Sequence, residues 1–259
     1  MPMKLKLFLE SKIGKIVYWS TLALLAAVFL FSGVMIALYY LDGRQSRVQY
    51  QELSQMVQVD VDRPDGVQPT AAEKYAALLE KNEDFIGWIK IDGTRVDYPV
   101  AQKREIKNYY LRRGFDKKYS YYGTPFAFED ASFEEADNFV IYGHHMDNGS
   151  MFSDLVQYTS PAFYQEHKTI VFDTLQGYGV YEIIAVLKTV AGGENEFHYY
   201  KFSKAASAEE FDAYVAECKA RSLYNINATA QYGDKLITLS TCEYSKENGR
   251  LAVIAKKIA

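Results

Sequence analysis

Residues 235–258 read KLITLSTCEYSKENGRLAVIAKKI. Two apolar runs flank the polar residues 243–249, a pattern that is typical of two neighbouring strands joined by a loop. Cys242 ends the first run and Arg250 opens the second. If these strands pair, the two side chains lie close together at one end of a sheet. A guanidinium there could stabilise a thiolate and donate hydrogen bonds to an oxyanion.

Further runs rich in β-branched and aromatic residues predict a largely β domain. Residues 88–91 and 95–100 flank the turn residues Asp92 and Gly93, which favours a hairpin. The other predicted strands cover residues 138–142, 169–172, 179–190, 235–241 and 251–258. Their spacing favours a barrel.

Three short motifs predict helices outside these strands. In each, a Ser or Thr at the N-cap precedes a residue that favours the first helical turn. The motifs are Thr70-x-x-Glu73, Ser160-Pro161 and Ser207-x-x-Glu210.

A membrane-spanning segment is predicted near the N-terminus. Residues 16–41 carry no charged side chain, and at about 1.5 Å rise per residue such a helix crosses a ~30 Å hydrocarbon core. A cleaved signal peptide is the alternative, but the run is longer than the roughly 7 to 15 apolar residues of such peptides. Four lysines precede the run, at positions 4, 6, 12 and 15. This excess of positive charge before the run predicts a cytoplasmic N-terminus.

The chain is thereby divided into four parts. Residues 1–15 are predicted to be cytoplasmic, 16–41 to be the anchor, 42–69 to be a polar stalk with a turn at 64–66, and 70–259 to be an extracellular domain. The 259 residues are 49% apolar, with a formal net charge of -4, which is ordinary for a globular protein. Without a basic footprint, nucleic acid is excluded as a partner.

A cysteine nucleophile needs a base, and the chain offers four histidines. His144 and His145 follow the predicted strand at 138–142, so they lie where a strand runs into a loop, a frequent location of catalytic groups. His167 lies at the C-terminal end of a predicted helix, where the helix dipole stabilises an imidazolium. His198 lies in a segment interpreted as strand surface.

Three motifs in the chain resemble class B of the sortase family. They are Tyr142-Gly-His144 with Met146-x-x-Gly-Ser-Met-Phe152, Thr238-Leu-Ser-Thr-Cys242 with Arg250 downstream, and the opening segment FIGWIKIDGTRVDYPV at residues 85–100. The predicted helix at 207–221, inserted before the Cys242 strand, resembles another feature of that class. The resemblance covers residues 70–258. His145 stands where the family often has Asn.

This resemblance implies an eight-stranded sortase barrel, mainly β with peripheral helices, that needs no metal and no organic cofactor. It implies that Cys242 is the nucleophile, His144 the acid and base, and Arg250 the oxyanion partner. It also implies that three further residues contact the substrate, namely Tyr142, Ser240 and Glu243.

The implied reaction is a transpeptidation. The Cys242 thiolate attacks the carbonyl after a Thr in the C-terminal sorting signal of a surface protein, and a thioacyl enzyme forms. An amine of a peptidoglycan precursor then takes over the acyl group. A pilus-assembling class B enzyme, with a pilin lysine as the acceptor, is the alternative.

Three other interpretations fit the residues less well. A disulfide between Cys218 and Cys242 would leave an anchored binding domain without a nucleophile, but Phe211, Val215 and Cys218 recur on one helical face, which explains Cys218 as a core residue. The L,D-transpeptidases have His and Gly just before the cysteine, unlike this chain. The acidic residues 129–137 could attract Ca²⁺, but they lack the spacing of a calcium loop and are interpreted as solvated.

Overall fold

A long helix, α1 (Lys12–Val59), begins the part of the chain that the computed structural model describes, which comprises residues 11–59, 69–192 and 196–259. This helix contains the predicted span, and among the described residues it is the one helix long and apolar enough to cross a membrane. The chain separates into two compact units, of which the second is Ser46–Ala259. The predicted turn at 64–66 and the lysines at positions 4 and 6 lie outside the described residues.

The C-terminal part of α1 differs from the stalk expected at residues 42–69. Tyr50, Leu53 and Val57 are buried, because apolar residues three or four positions apart form one face of a helix. The hydroxyl of Tyr50 donates a hydrogen bond to the carbonyl of Gly123 at 2.7 Å. Residues 46–59 are therefore part of the second folded unit rather than a spacer.

Seven strands form one mixed sheet in the order β2-β1-β4-β5-β7-β6-β3. Neighbouring strands are antiparallel except β3 and β6, which are parallel. The strands are β1 (Phe85–Lys90), β2 (Asp97–Ala101), β3 (Asn138–Tyr142), β4 (Thr169–Thr174), β5 (Val180–Val190), β6 (Leu236–Cys242) and β7 (Gly249–Lys257). Each strand predicted from the sequence is present, because its alternating or continuous apolar pattern matches a sheet that is buried on the core side.

Phe126 joins the two edges of this sheet. It forms single bridges to Ala101 of β2 and to Tyr142 of β3. Its N–H donates to the Tyr142 carbonyl at 2.9 Å, and the Tyr142 N–H donates back at 2.8 Å. The described residues thus contain seven strands where the resemblance implies eight. One bridging residue stands in the gap, so the sheet is barrel-like but is not closed by a continuous ladder.

The three predicted helix starts are confirmed. They open α2 (Ala71–Lys81), α3 (Pro161–Glu166) and α4 (Ala208–Ala220), and the hydroxyls of Thr70 and Ser207 accept hydrogen bonds from the N–H groups three residues later. Short 3-10 helices cover Tyr109–Arg112, Ser153–Thr159 and Tyr199–Lys201. The last of these follows His198, so the interpretation of that segment as strand surface is wrong.

Helix α4 buries one side against the sheet. Phe211, Val215 and Cys218 are buried in a cluster with Ile184 of β5 and Ile254 of β7. Burial raises the pKa of the Cys218 thiol to about 12. Cys218 and Cys242 are both free thiols, so the structure does not contain the alternative disulfide.

Candidate active site

Strand pairing brings three distant segments to one end of the sheet. In the parallel pair of β3 and β6, Tyr142 lies opposite Ser240. In the antiparallel pair of β6 and β7, Cys242 lies opposite Arg250. The ends of β3 and β6 and the start of β7 therefore meet, and the loop after β3 begins beside the cysteine.

Two hydrogen bonds extend the contact between β3 and β6 into that loop. The Gly143 N–H donates to the carbonyl of Ser240 at 3.0 Å, and the Thr241 hydroxyl donates to the carbonyl of Gly143 at 2.8 Å. A Cβ on Gly143 would lie 2.5 Å from the ring of Phe152. Glycine is required here because the ring packs directly beneath the backbone that leads into His144.

A cavity of about 320 Å³ opens at this end of the sheet. Cys242, His144 and Arg250 all line it, so the structure brings these three residues to one cavity. Tyr142 and Ser240 line it as well. Gly143 and Thr241, from the same motifs, line it too. Its other walls come from residues that the sequence did not single out, namely Asn108, Leu111, Phe126, Phe128, Ala191, Tyr199 and Tyr200.

His144 is held by a backbone carbonyl. Its Nε2 lies 2.7 Å from the carbonyl oxygen of Leu111. A carbonyl oxygen can only accept, so Nε2 carries the proton and Nδ1 has the free lone pair in the neutral ring. Burial lowers the pKa of His144, the bond to Leu111 partly opposes this, and the charge of Arg112 lowers the pKa further. The neutral imidazole is therefore favoured near neutral pH.

His145 is placed differently. Its Nδ1 donates a hydrogen bond to the backbone carbonyl of Cys242 at 3.1 Å, and its own carbonyl accepts one from the Tyr244 hydroxyl at 2.9 Å. It is not among the residues that line the cavity. His145 thus ties the loop after β3 to the loop after β6, which favours His144 as the imidazole available to a substrate.

The loop that follows His145 is closed by one buried hydroxyl. Ser153 Oγ accepts a hydrogen bond from the Met146 N–H at 2.7 Å and lies 2.6 Å from the Ser150 carbonyl. The Phe152 N–H donates to the His144 carbonyl at 2.9 Å. These bonds fix the backbone on both sides of the two histidines.

Glu243 does not line the cavity, in contrast to the expectation. Its carboxylate forms an ion pair with Lys188 of β5 at 2.9 Å and accepts hydrogen bonds from the backbone and hydroxyl of Ser245. Burial opposes ionisation of Glu243, but these partners outweigh it and lower its pKa. A buried carboxylate needs such partners, and Lys188 supplies the countercharge.

The aromatic wall of the cavity contains two kinds of hydroxyl. The hydroxyls of Tyr199 and Ser240 are hydrogen-bonded at 2.5 Å. The hydroxyl of Tyr142, whose ring stacks on Phe128, is buried without a partner among the described residues. Burial raises the pKa of Tyr142 and that of Tyr199, to about 12. Both phenols are therefore neutral.

The side chains that could ligate a metal ion are spread apart in the described part of the chain. Among residues 11–59, 69–192 and 196–259, no three His, Cys, Asp or Glu side chains gather closely enough to hold a metal ion. The groups that meet at the cavity are instead a thiol, an imidazole and a guanidinium. That set is suited to nucleophilic acyl transfer.

A family model described as the sortase domain matches residues 89–258, which include every strand that lines the cavity. The chain belongs to the sortase family. Sortases are cysteine transpeptidases, and the resemblance inferred from the three motifs is confirmed.

The relatives of this sortase are sortase B proteins. Sortase B of Listeria monocytogenes serovar 1/2a (strain ATCC BAA-679 / EGD-e) is 30% identical over 260 aligned positions, which cover 99% of each chain. Sortase B of Staphylococcus aureus (strain NCTC 8325 / PS 47) is 29% identical over 238 residues, 91% of this chain and 94% of the relative.

A solved structure of the Staphylococcus aureus sortase B–substrate complex is similar to this sortase as well. It matches with a TM-score of 0.75 and 28% identity, covering 84% of this chain and 98% of that one. The predicted fold, mainly β with peripheral helices, is thereby confirmed as sortase B-like.

Proposed function

We propose that this sortase cleaves the C-terminal sorting signal of a surface protein after a Thr and transfers that protein to an amine of a peptidoglycan precursor. The supporting observation is that Cys242, His144 and Arg250, which come from three different strand ends, line one cavity. Membership of the sortase family supports the class of reaction.

In the first half-reaction Nδ1 of His144 takes the proton of the Cys242 thiol, and the resulting thiolate attacks the carbonyl carbon of the Thr. The Arg250 guanidinium donates hydrogen bonds to the oxyanion that develops. A C–S bond forms, the C–N bond breaks, and His144 gives its proton to the leaving amine. The products are a thioacyl enzyme and the cleaved C-terminal segment.

In the second half-reaction the acceptor amine attacks the thioester carbonyl. His144 takes up the proton that the amine loses, the C–S bond breaks, and the Cys242 thiolate is regenerated. Because Nε2–H of His144 is bound to Leu111, Nδ1 is the nitrogen that exchanges the proton in both halves. The neutral ring that burial favours suits this second, proton-accepting step.

Tyr142 and Ser240 contact the substrate in this proposal, since both line the cavity beside Cys242. The residues at 16–41 tether the enzyme to the cell membrane, with residues 1–15 in the cytoplasm and the catalytic unit outside the cell. The lack of charge in that segment and the lysines before it support this orientation. Tethering keeps the enzyme close to substrates that are also held at the bilayer.

The test uses the full chain in detergent, a library of sorting-signal peptides and a model amine, with products identified by mass. We expect Cys242→Ala to lose turnover, by at least about 10⁴-fold for a nucleophile. Cys218→Ala, which removes the other thiol at a position that does not line the cavity, is the matched control and should remain active. Turnover that survives in Cys242→Ala would exclude the proposal.

The same assay separates the two adjacent imidazoles. His144→Ala should lose roughly 10² to 10⁴ in kcat, the usual contribution of a general acid and base. His145→Asn should lose far less, because the His145 ring binds the Cys242 carbonyl and packs on Tyr244, and it does not line the cavity. The opposite order would move the acid and base role to His145. A product joined to a lysine side chain in preference to the precursor amine would favour pilus assembly instead.

A further inference from the structure

We propose that Tyr110 is a positioning residue for His144, which acts through the backbone of its neighbour Leu111. The inference rests on the proposed catalytic role of His144. Tyr110 does not line the cavity, and no motif in the sequence points to it. Tyr110 is identified instead by the contacts around the Leu111 carbonyl, which binds the imidazole of His144.

Leu111 is the residue that binds the imidazole of His144. Its carbonyl accepts the hydrogen bond from His144 Nε2 at 2.7 Å, so the position of that oxygen sets the orientation of the ring. The Leu111 side chain is 37% exposed and therefore anchors its own backbone poorly. The carbonyl must be fixed by the residues next to it.

The side chain of Tyr110 is 1% exposed. Its hydroxyl donates to Asp84 Oδ2 at 2.8 Å and accepts from the Asn82 side-chain amide at 2.8 Å. Asp84 in turn forms ion pairs with Lys103 at 3.1 Å and with Lys117 at 3.3 Å. Burial raises the pKa of Tyr110, so the phenol remains a donor to this carboxylate.

The backbone of Tyr110 also makes close contacts. The Tyr110 carbonyl accepts a hydrogen bond from the Thr124 N–H at 3.1 Å. A Cβ at Gly123 would lie 2.7 Å from the Tyr110 carbonyl oxygen and 2.8 Å from that of Leu111. Only glycine allows the chain to pass this close. The carbonyls of Tyr110 and Leu111 thus pack directly against residues 123 and 124.

These contacts make the Tyr110 hydroxyl the link between the ion pairs of the buried Asp84 and the catalytic imidazole. Without it the ring and the 3-10 helix Tyr109–Arg112 lose their polar anchor, and the Leu111 carbonyl can shift. A displacement of about 1 Å in a catalytic group can cost on the order of 10²-fold in rate. A buried phenol remote from the substrate thereby contributes to turnover.

The test compares Tyr110→Phe with Tyr158→Phe in the full chain. Tyr158 is the matched control, since it is fully buried and its hydroxyl also donates a hydrogen bond, to the His167 carbonyl at 2.8 Å, away from the cavity. Both changes remove one oxygen and keep the ring. Thermal unfolding of both variants shows that each is folded at the temperature of the assay.

Nitrogen NMR of the histidine side chains, assigned with a His144→Gln variant, gives a readout that does not depend on activity. In the wild type we expect neutral His144 to be the Nε2–H tautomer with a slowly exchanging proton. In Tyr110→Phe we expect that protection to fall and kcat to drop by about tenfold, with a smaller change in KM. Tyr158→Phe should change neither quantity.

Three outcomes are informative. An unchanged His144 tautomer and exchange rate in Tyr110→Phe would overturn the positioning role. Equal losses in Tyr110→Phe and Tyr158→Phe would overturn it too, because they would indicate a general loss of stability. A loss of the His144 signature with full activity would uphold the positioning role and would instead contradict the catalytic role of His144.

Discussion

His144 and His145 are adjacent in the chain, and the ring of each is held by a backbone carbonyl of another segment. The Leu111 carbonyl holds one imidazole nitrogen of His144, and the Cys242 carbonyl holds the ring of His145. A carbonyl accepts but never donates, so each contact selects one tautomer. The chemical identity of the free nitrogen in this sortase therefore depends on where a carbonyl points.

Stability at mildly acidic pH provides a prediction for His144. Its pKa is lowered in the folded state, mainly by burial, so below an ordinary pKa of about 6.5 the unfolded chain binds more protons at this site. The stability due to the neutral ring is thus complete above that pH and is lost as the pH falls towards the lowered value. We expect the Tm of the wild type to fall more than that of His144→Gln between pH 7.5 and pH 5.

Thermal unfolding at the two pH values measures this difference. The carboxylates with lowered pKa values, such as Asp84 and Asp154, titrate below this range and are common to both proteins, so they cancel in the comparison. An equal fall of Tm in both proteins would show that His144 is not the group responsible.

At the scale of elements, α1 combines two sequence patterns in one helix. Residues 16–41 are apolar on all sides, whereas Tyr50, Leu53 and Val57 form a single buried face. The hydroxyl of Tyr50 also lies 3.0 Å from that of Thr124, the residue whose N–H binds the Tyr110 carbonyl. The end of this helix therefore supports the segment behind His144.

Truncation of α1 tests that contribution. A chain that begins at residue 46 keeps the buried face, and one that begins at residue 60 loses it. Each fully buried side chain of this size contributes about 1.5 to 3 kcal/mol, which is an upper estimate. We expect the shorter chain to be less stable by on the order of 5 kcal/mol in urea unfolding, and less active. Coincident unfolding curves would show that residues 46–59 are dispensable to the fold.

At the scale of the whole molecule, the two cysteines differ in exposure, which makes them probes of the orientation of the chain in the membrane. Cys242 is partly exposed at the cavity, whereas Cys218 is fully buried on the inner face of α4. If the catalytic unit lies outside the cell, a membrane-impermeant maleimide added to intact cells should label the wild type once. Labelling should disappear in Cys242→Ala and persist in Cys218→Ala. A requirement for cell lysis before labelling would reverse the proposed orientation.

Local patterns in the sequence predicted the secondary structure well. The strands, the capping residues and the core role of Cys218 depend on neighbours a few residues away, which is why periodicity and cap motifs reveal them. The Cys242 and Arg250 pair is of the same kind, because a hairpin brings residues of adjacent strands together. The family motifs extended this to His144. They did not reveal Leu111, because a backbone carbonyl can belong to any residue type.

The sequence by itself therefore determined the strands, the helix caps, the apolar segment at 16–41 and the candidate thiol, imidazole and guanidinium. Only the tertiary structure decided that β3 lies parallel to β6, that Leu111 holds His144, that Glu243 pairs with Lys188 and does not line the cavity, and that residues 46–59 pack on the domain. The reason is physical. Pairings between residues far apart in the chain are selected by the combined burial and hydrogen bonding of the whole core, and no short segment contains that sum.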